Sequence, residues 1–327
     1  FRSLKPGEKP PQFVVVSFDG ACKVDLWQHY LQLAAQTNSH FTFFLSGLCL
    51  VPDAKRFLYR PPHKPVGYSA IGFANASLVP QRIRYMTMAY NSGHEIGTHF
   101  LGHFCDPQGV GTWSQADWTS EISQARTFLD HWAEINGSTD PSLRLPFSSS
   151  VWHGARTPCL LGRSSQMYPV WAKQGFTYDA SRAGALVWPT HVEGFGRMWE
   201  FPLQRIKVVG YGKTNLSMDY NLMYVQNKGR MTAPQATCDK IRESTYQSLM
   251  QALTAVERSN RAPFFVGNHF NTWVCGAYRD ALTRFVIDAH AKYPDIRFVT
   301  FDYLVHWLNA QSPAVLSKLQ ALPVAKY

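Results

Sequence analysis

No apolar run of about 18 residues occurs in the chain, and a helix that crosses a bilayer needs about 20, so no membrane span is expected. No Cys-x-x-Cys pair is present, which argues against a zinc knuckle. No Gly-x-Gly-x-x-Gly follows the first apolar run, which argues against a dinucleotide site. Blocks of lysine or arginine are also missing. The net charge is +10, but the basic residues are spread along the chain, so nucleic acid is not the expected partner. A diffuse positive field suits acidic polymers such as wall glycans, or simply aids solubility. There is no internal repeat, no low-complexity tract and no linker after residue 12.

What is present is a chain of 327 residues, 45% hydrophobic and 14% aromatic. Such a chain can bury a large core and has no compositional reason to be disordered. Residues 1–12 are rich in proline and lysine and read as an extended lead-in; any signal peptide would already be absent. The six cysteines, Cys22, Cys49, Cys105, Cys159, Cys238 and Cys275, are compatible with up to three disulfides and an oxidising compartment. The alternative is a set of buried free thiols. Sequons at Asn75, Asn136 and Asn215 matter only in a eukaryotic secretory context.

Phe13-Val14-Val15-Val16-Ser17-Phe18 is a continuous apolar run of strand length, as expected for a strand buried on both faces of a parallel sheet. Further strands are predicted at 41–45, before His99, at 151–156, 176–178, 199–203, 263–266 and 297–301. Helices are predicted between them at 25–35, 80–91, 114–136, 165–174, 237–259 and 278–292, with a last one at 303–308. Ser114 suits the start of the long third helix and Asn136-Gly137 its end. Alternating strands and helices joined by right-handed crossovers predict a distorted (β/α)7–8 TIM-like barrel over residues 13–327, with insertions near 49–80 and 185–235. An open doubly wound sheet is the second choice.

Polar residues gather where the predicted strands end. Asp19 follows strand one, His99 and His103 strand three, Arg156 strand four, Asp179 strand five and His269 strand seven. In a parallel barrel these ends share one rim. Each alone reads as a cap, a core histidine or a surface ion pair; together they mark a site. His99 and His103, four residues apart, lie on one face if the backbone turns helically after His99. Two such imidazoles can hold a transition metal when further ligands join them. Barrel closure would also bring Cys22 and Cys275 to one rim, where a bridge between them is a candidate pairing. Trp188, Trp199 and Trp273 are candidates for stacking on sugar rings, or else ordinary core residues.

In motif order, nearly the whole chain resembles the polysaccharide deacetylases of carbohydrate esterase family 4, the NodB-homology and chitin deacetylase group. The resemblance rests on Ser17-Phe18-Asp19-Gly20-Ala21, on Thr42 to Gly47, on Gly93 to His99 with His103, and on Arg156-Thr157-Pro158. It continues through Tyr178-Asp179-Ala180-Ser181, Trp188-Pro189, Trp199-Glu200-Phe201-Pro202 and the run from Arg261 to His269. It implies a secreted, cell-surface or periplasmic hydrolase, monomeric, acting on an acetylated polysaccharide. It implies a divalent metal held by His99 and His103: zinc first, or cobalt, nickel or manganese. It further implies Asp19 as base, His269 as acid, Arg156 holding Asp19 and Asp179 tuning His269. Backbone N–H groups after Arg156 could share the oxyanion.

Three positions depart from the family. Gly20 stands where the third metal ligand is usual, Phe100 where Ser or Thr follows the first metal histidine, and Gly267 where the closing motif has Leu. The vacancy at Gly20 leaves three outcomes: Asp19 becomes the third ligand, Asp106 swings in, or the metal is lost and the protein only binds glycan.

Overall fold

A computed structural model describes residues 1–327. Its strands are β1 (Gln12–Gly20), β2 (Thr42–Leu45), β3 (Glu95–Thr98), β4 (Gly154–Ala155), β5 (Tyr178–Asp179) and β6 (Ala183–Gly184). They continue as β7 (Thr190–Val192), β8 (Phe195–Glu200), β9 (Leu203–Val208), β10 (Lys213–Leu216), β11 (Phe264–His269) and β12 (Ile296–Phe298). The central strand is β1. Gln12 to Asp19 are buried without interruption, as its apolar run requires for a strand covered on both faces.

The main sheet runs β11-β1-β2-β3-β4-β5-β8-β7, with β12 also paired to β1. Every pair from β11 to β8 is parallel, and only β7 on β8 is antiparallel. Strands in chain order curling around a core make the expected distorted barrel, not a doubly wound sheet, whose order would reverse at a switch point. The wall is not closed by a continuous ladder. Between β8 and β11 stands a separate three-stranded sheet, β10-β9-β6, and side chains stitch it to β11. Gln204 accepts from Phe265 N–H (2.9 Å) and donates to the Pro263 carbonyl (2.9 Å). Ser217 donates to the Phe265 carbonyl (2.6 Å). One contiguous apolar core unites the wall and its surrounding helices; the only other buried apolar cluster is Leu203, Leu216 and Met218 under the seam.

Several boundaries differ from expectation for local reasons. Strand four shrinks to Gly154–Ala155, because Ser148 accepts from Ser150 N–H and turns the preceding residues into a short 3-10 helix. The long third helix begins as expected, with Ser114 and Asp117 bonding each other's backbone N–H, but breaks at His131 into Gln115–Asp130 and Trp132–Ile135. Helices Asp219–Asn227 and Pro313–Gln320 were not foreseen.

All six cysteines are paired: Cys22–Cys49, Cys105–Cys159 and Cys238–Cys275. Free thiols and the candidate Cys22–Cys275 bridge are both overturned. Beside β1 on that side lies β2, so Cys22 meets the turn that follows β2. Cys275 opens helix Trp273–Lys292, which packs along helix Gln235–Arg258 and finds Cys238 in that helix's first turn.

Candidate active site

Asp19 sits at the end of β1, 5% exposed, beside its cross-strand partner His269 at the end of β11. Arg156, fully buried after β4, donates from Nη1 to Asp19 Oδ1 (2.8 Å) and Ser17 Oγ (2.7 Å), and from Nε to the Ala180 carbonyl (2.9 Å). Burial alone would raise the Asp19 carboxyl, but the charges of Arg156, His99 and His269 outweigh it and hold its pKa below the usual value. Its second oxygen, Oδ2, lies 3.8 Å from His269 Nε2.

The carboxylate that orients His269 is Asp219, not Asp179. Asp219 opens a helix, is 1% exposed, and pairs Oδ1 with His269 Nδ1 at 2.7 Å. Its Oδ2 accepts from the His269 backbone N–H and the Asn271 side chain, both at 2.8 Å. Burial would lower the His269 pKa; Asp219 more than reverses this and raises it above the ordinary value. Asp179 instead accepts from Tyr168 Oη (2.7 Å) and Ser181 N–H (2.8 Å), with Arg182 at 3.4 Å. It shapes the turn whose Ala180 carbonyl receives Arg156. Ser181 Oγ in that turn accepts from Thr157 N–H, so this N–H is not free for an oxyanion.

The bridge between Met218 and Gly267 sets Asp219 opposite His269. It also accounts for Gly267: a Cβ there would come within 2.7 Å of Met218 Cε and 3.1 Å of Leu203. No motif spacing marked Asp219. Its only sequence signal was an acid at the start of a helical stretch, inside a region read as an insertion.

His99 and His103 follow β3, with ring centroids 5.3 Å apart. A carbonyl can only accept, so the 2.8 Å contact between His99 Nδ1 and the Arg156 carbonyl places the proton on Nδ1 and leaves Nε2 as the free lone pair. Burial pushes His99 down to about 4 and lowers His103 as well, which favours the neutral ring in both. The loop turns through left-handed residues at Phe100 (φ 62°) and His103 (φ 56°), not through a helix. Phe100 drives into the core against Trp118 and Trp171; the departure from Ser or Thr is a packing choice. Glu121, fully buried, receives Leu101 and Gly102 N–H (3.1 and 3.4 Å) and the Tyr59 hydroxyl.

Asp19, His99, His103 and His269 line one open pocket of about 450 Å³, in which Asp19 is the only carboxylate. Two imidazoles presented together fit a divalent cation, and Asp19, the carboxylate of the same lining, is the remaining candidate for a third ligand beside them. Gly20 has φ +89° and no side chain. Asp106 is exposed and ion-paired with Lys64, away from the pocket lining. The only three potential ligands whose atoms lie within 4.8 Å of one another are His103, Cys105 and Cys159. Those two sulfurs are bonded together, and a disulfide is not a thiolate donor.

Of the tryptophans, Trp273 lies half-buried on the pocket, its ring 5.3 Å from that of His269. Trp188 and Trp199 are core residues, bonded through their indole N–H to the Asn260 carbonyl and Asn309 Oδ1, and present no face to a sugar.

No protein-family model and no curated protein matches the sequence. Solved structures do. A protein assigned as a polysaccharide deacetylase from Mycobacterium smegmatis superposes with a TM-score of 0.55 at 15% identity, over 100% of this chain and 98% of its own. A family 4 carbohydrate esterase from Streptomyces lividans gives 0.42 at 13%, over 88% and 91%. A family 4 pseudoenzyme from Bacillus anthracis gives 0.46 at 9%, over 90% and 66%. The first of these likenesses gives the chain the fold of a polysaccharide deacetylase.

Proposed function

We propose that the protein is a secreted hydrolase that removes acetyl groups from an extracellular polysaccharide, with a divalent cation at His99 and His103. The observation that carries this is the opposite bias of two groups across one pocket. The surroundings bias Asp19 towards its ionised form and His269 towards its protonated form, with Oδ2 and Nε2 3.8 Å apart. Acyl hydrolysis needs a base to take a proton from the attacking water and an acid to protonate the leaving nitrogen or oxygen.

Asp19 Oδ1 is occupied by Arg156, which leaves Oδ2 to accept the proton. With Nδ1 turned to Asp219, His269 keeps Nε2–H for the leaving group. His99 and His103 present neutral nitrogens, and a cation there would polarise the acyl oxygen and acidify water. Three disulfides fit an oxidising compartment.

Gly20 favours a second reading, a glycan-binding protein that has lost its metal. One experiment separates the two: metal content after zinc and cobalt loading, with acetate release from acetylated chito-oligosaccharides. One equivalent of metal, with release abolished by His99→Ala, supports the hydrolase. Neither metal nor release, with glycan binding retained, overturns it in favour of the binder.

A further inference from the structure

The chain buries three arginines, Arg82, Arg156 and Arg261. Two of them face carboxylates: Arg156 meets Asp19, and Arg261 meets Glu257 and Asp295. Arg82 meets none. It rises from helix Val79–Asn91, is 7% exposed, and donates from Nε to the Cys22 carbonyl (2.6 Å) and from Nη1 to the Cys49 carbonyl (2.9 Å). Those bonds brace the two loops joined by the Cys22–Cys49 disulfide, but they use only two of five N–H donors. Bracing two carbonyls does not need a charge, and a buried charge without a counter-ion is costly. Burial lowers the Arg82 pKa, and no acid offsets it.

Arg82 lines the active-site pocket. So does Lys23, exposed at the rim and unpaired, which precedes helix Val24–Thr37 without capping it through its side chain. The sole pocket carboxylate, Asp19, is already neutralised by Arg156. The pocket therefore carries positive charge with no internal counter-ion, and a guanidinium matches a carboxylate in a two-point contact.

We infer that the pocket takes an acidic glycan, with Arg82 anchoring a sugar carboxylate and Lys23 joining at the rim. This rests on the polysaccharide hydrolase proposed above and names its substrate class. The carboxylate can come from a hexuronic acid or from a lactyl ether on a hexosamine.

The test is calorimetric titration of the 327-residue chain with three tetrasaccharides: neutral N-acetylated, hexuronate-containing and lactyl-bearing. At low salt an acidic probe should bind about tenfold tighter than the neutral one, as expected for a hydrogen-bonded charge pair. The preference should shrink with added salt, vanish in Arg82→Gln and weaken in Lys23→Ala. The better acidic probe identifies the source of the carboxylate. Equal binding of all three, or a preference that survives both substitutions, overturns the inference. Should Arg82→Gln fail to fold, Lys23→Ala at the exposed rim and the salt series decide it. Acetate release read in parallel separates the two claims. Acidic preference without release overturns the hydrolase and leaves the recognition site; release without preference does the reverse.

Discussion

The strongest chemical consequence at the level of single residues lies in Asp219. It raises the His269 pKa against the effect of burial. A group that must be protonated to act loses activity as pH rises through its pKa, so Asp219→Asn should move the alkaline limb of the pH–rate profile to lower pH. The rate should also fall by about a hundredfold or more, the usual scale for a mispositioned general acid. An unmoved limb in steady-state assays would assign the acid elsewhere. Gly20 is the counterpart on the metal side. A Cβ there would find only Ser46 Oγ, at 3.9 Å, but φ +89° strains any other residue. Gly20→Asp should tighten zinc by about tenfold or more in competition titrations, as a third ligand does, while lowering the melting temperature. Asp19, His99, His103, Arg156 and His269 were legible because each follows a strand in a recognisable order. Asp219 was not, because its role depends on the Met218–Gly267 bridge, a contact between segments about 50 residues apart that local pattern does not encode.

Among the elements, β11 and the seam sheet show how one departure is absorbed by another. Gly267 leaves room for Met218, and Met218 leads directly into Asp219. Gly267→Leu should destabilise by about 1–3 kcal/mol through overpacking. Met218→Ala in the same chain should recover part of that loss in denaturant melts, and additive losses would show the two sites to be independent. The parallel wall was readable from β1, whose apolar run announces burial on both faces. The seam was not. Gln204 completes the wall with its side-chain amide, and a glutamine in a short strand carries no sequence signature of that use. Strand β4 shrank for a comparable reason, since Ser148 offered the backbone a local alternative to the ladder.

Considered as a whole, the molecule buries two glutamates away from the acid–base pair, Glu95 in strand β3 and Glu121 in helix Gln115–Asp130. Glu95 and Glu121 are both pushed up to about 7 by burial, Glu95 also by Asp302. A raised carboxyl pKa means that the folded state holds the proton more tightly than the unfolded chain. The associated stability is complete below the ordinary value near 4.5 and is lost as pH rises towards 7. A tenfold difference in proton affinity between the two states is worth about 1.4 kcal/mol, so each group contributes a few kcal/mol at most. Glu121→Gln cannot lose a proton, so its melting temperature relative to the parent should rise between pH 5 and pH 8; a constant difference would show that Glu121 does not titrate in this range.

The disulfides add a directional property. Cys22 follows Asp19, Cys105 follows His103 and is joined to Cys159 after Arg156, and Cys275 follows His269. Each cross-link therefore has a member within six residues of a site side chain: Cys22–Cys49 lies in the pocket lining itself, and Cys238–Cys275 joins the starts of two helices beside it. Amide hydrogen exchange should accordingly begin at the opposite end of the wall while the rim stays closed. A reductant should reverse the order, so that the protein forgets its chemistry before it forgets its shape.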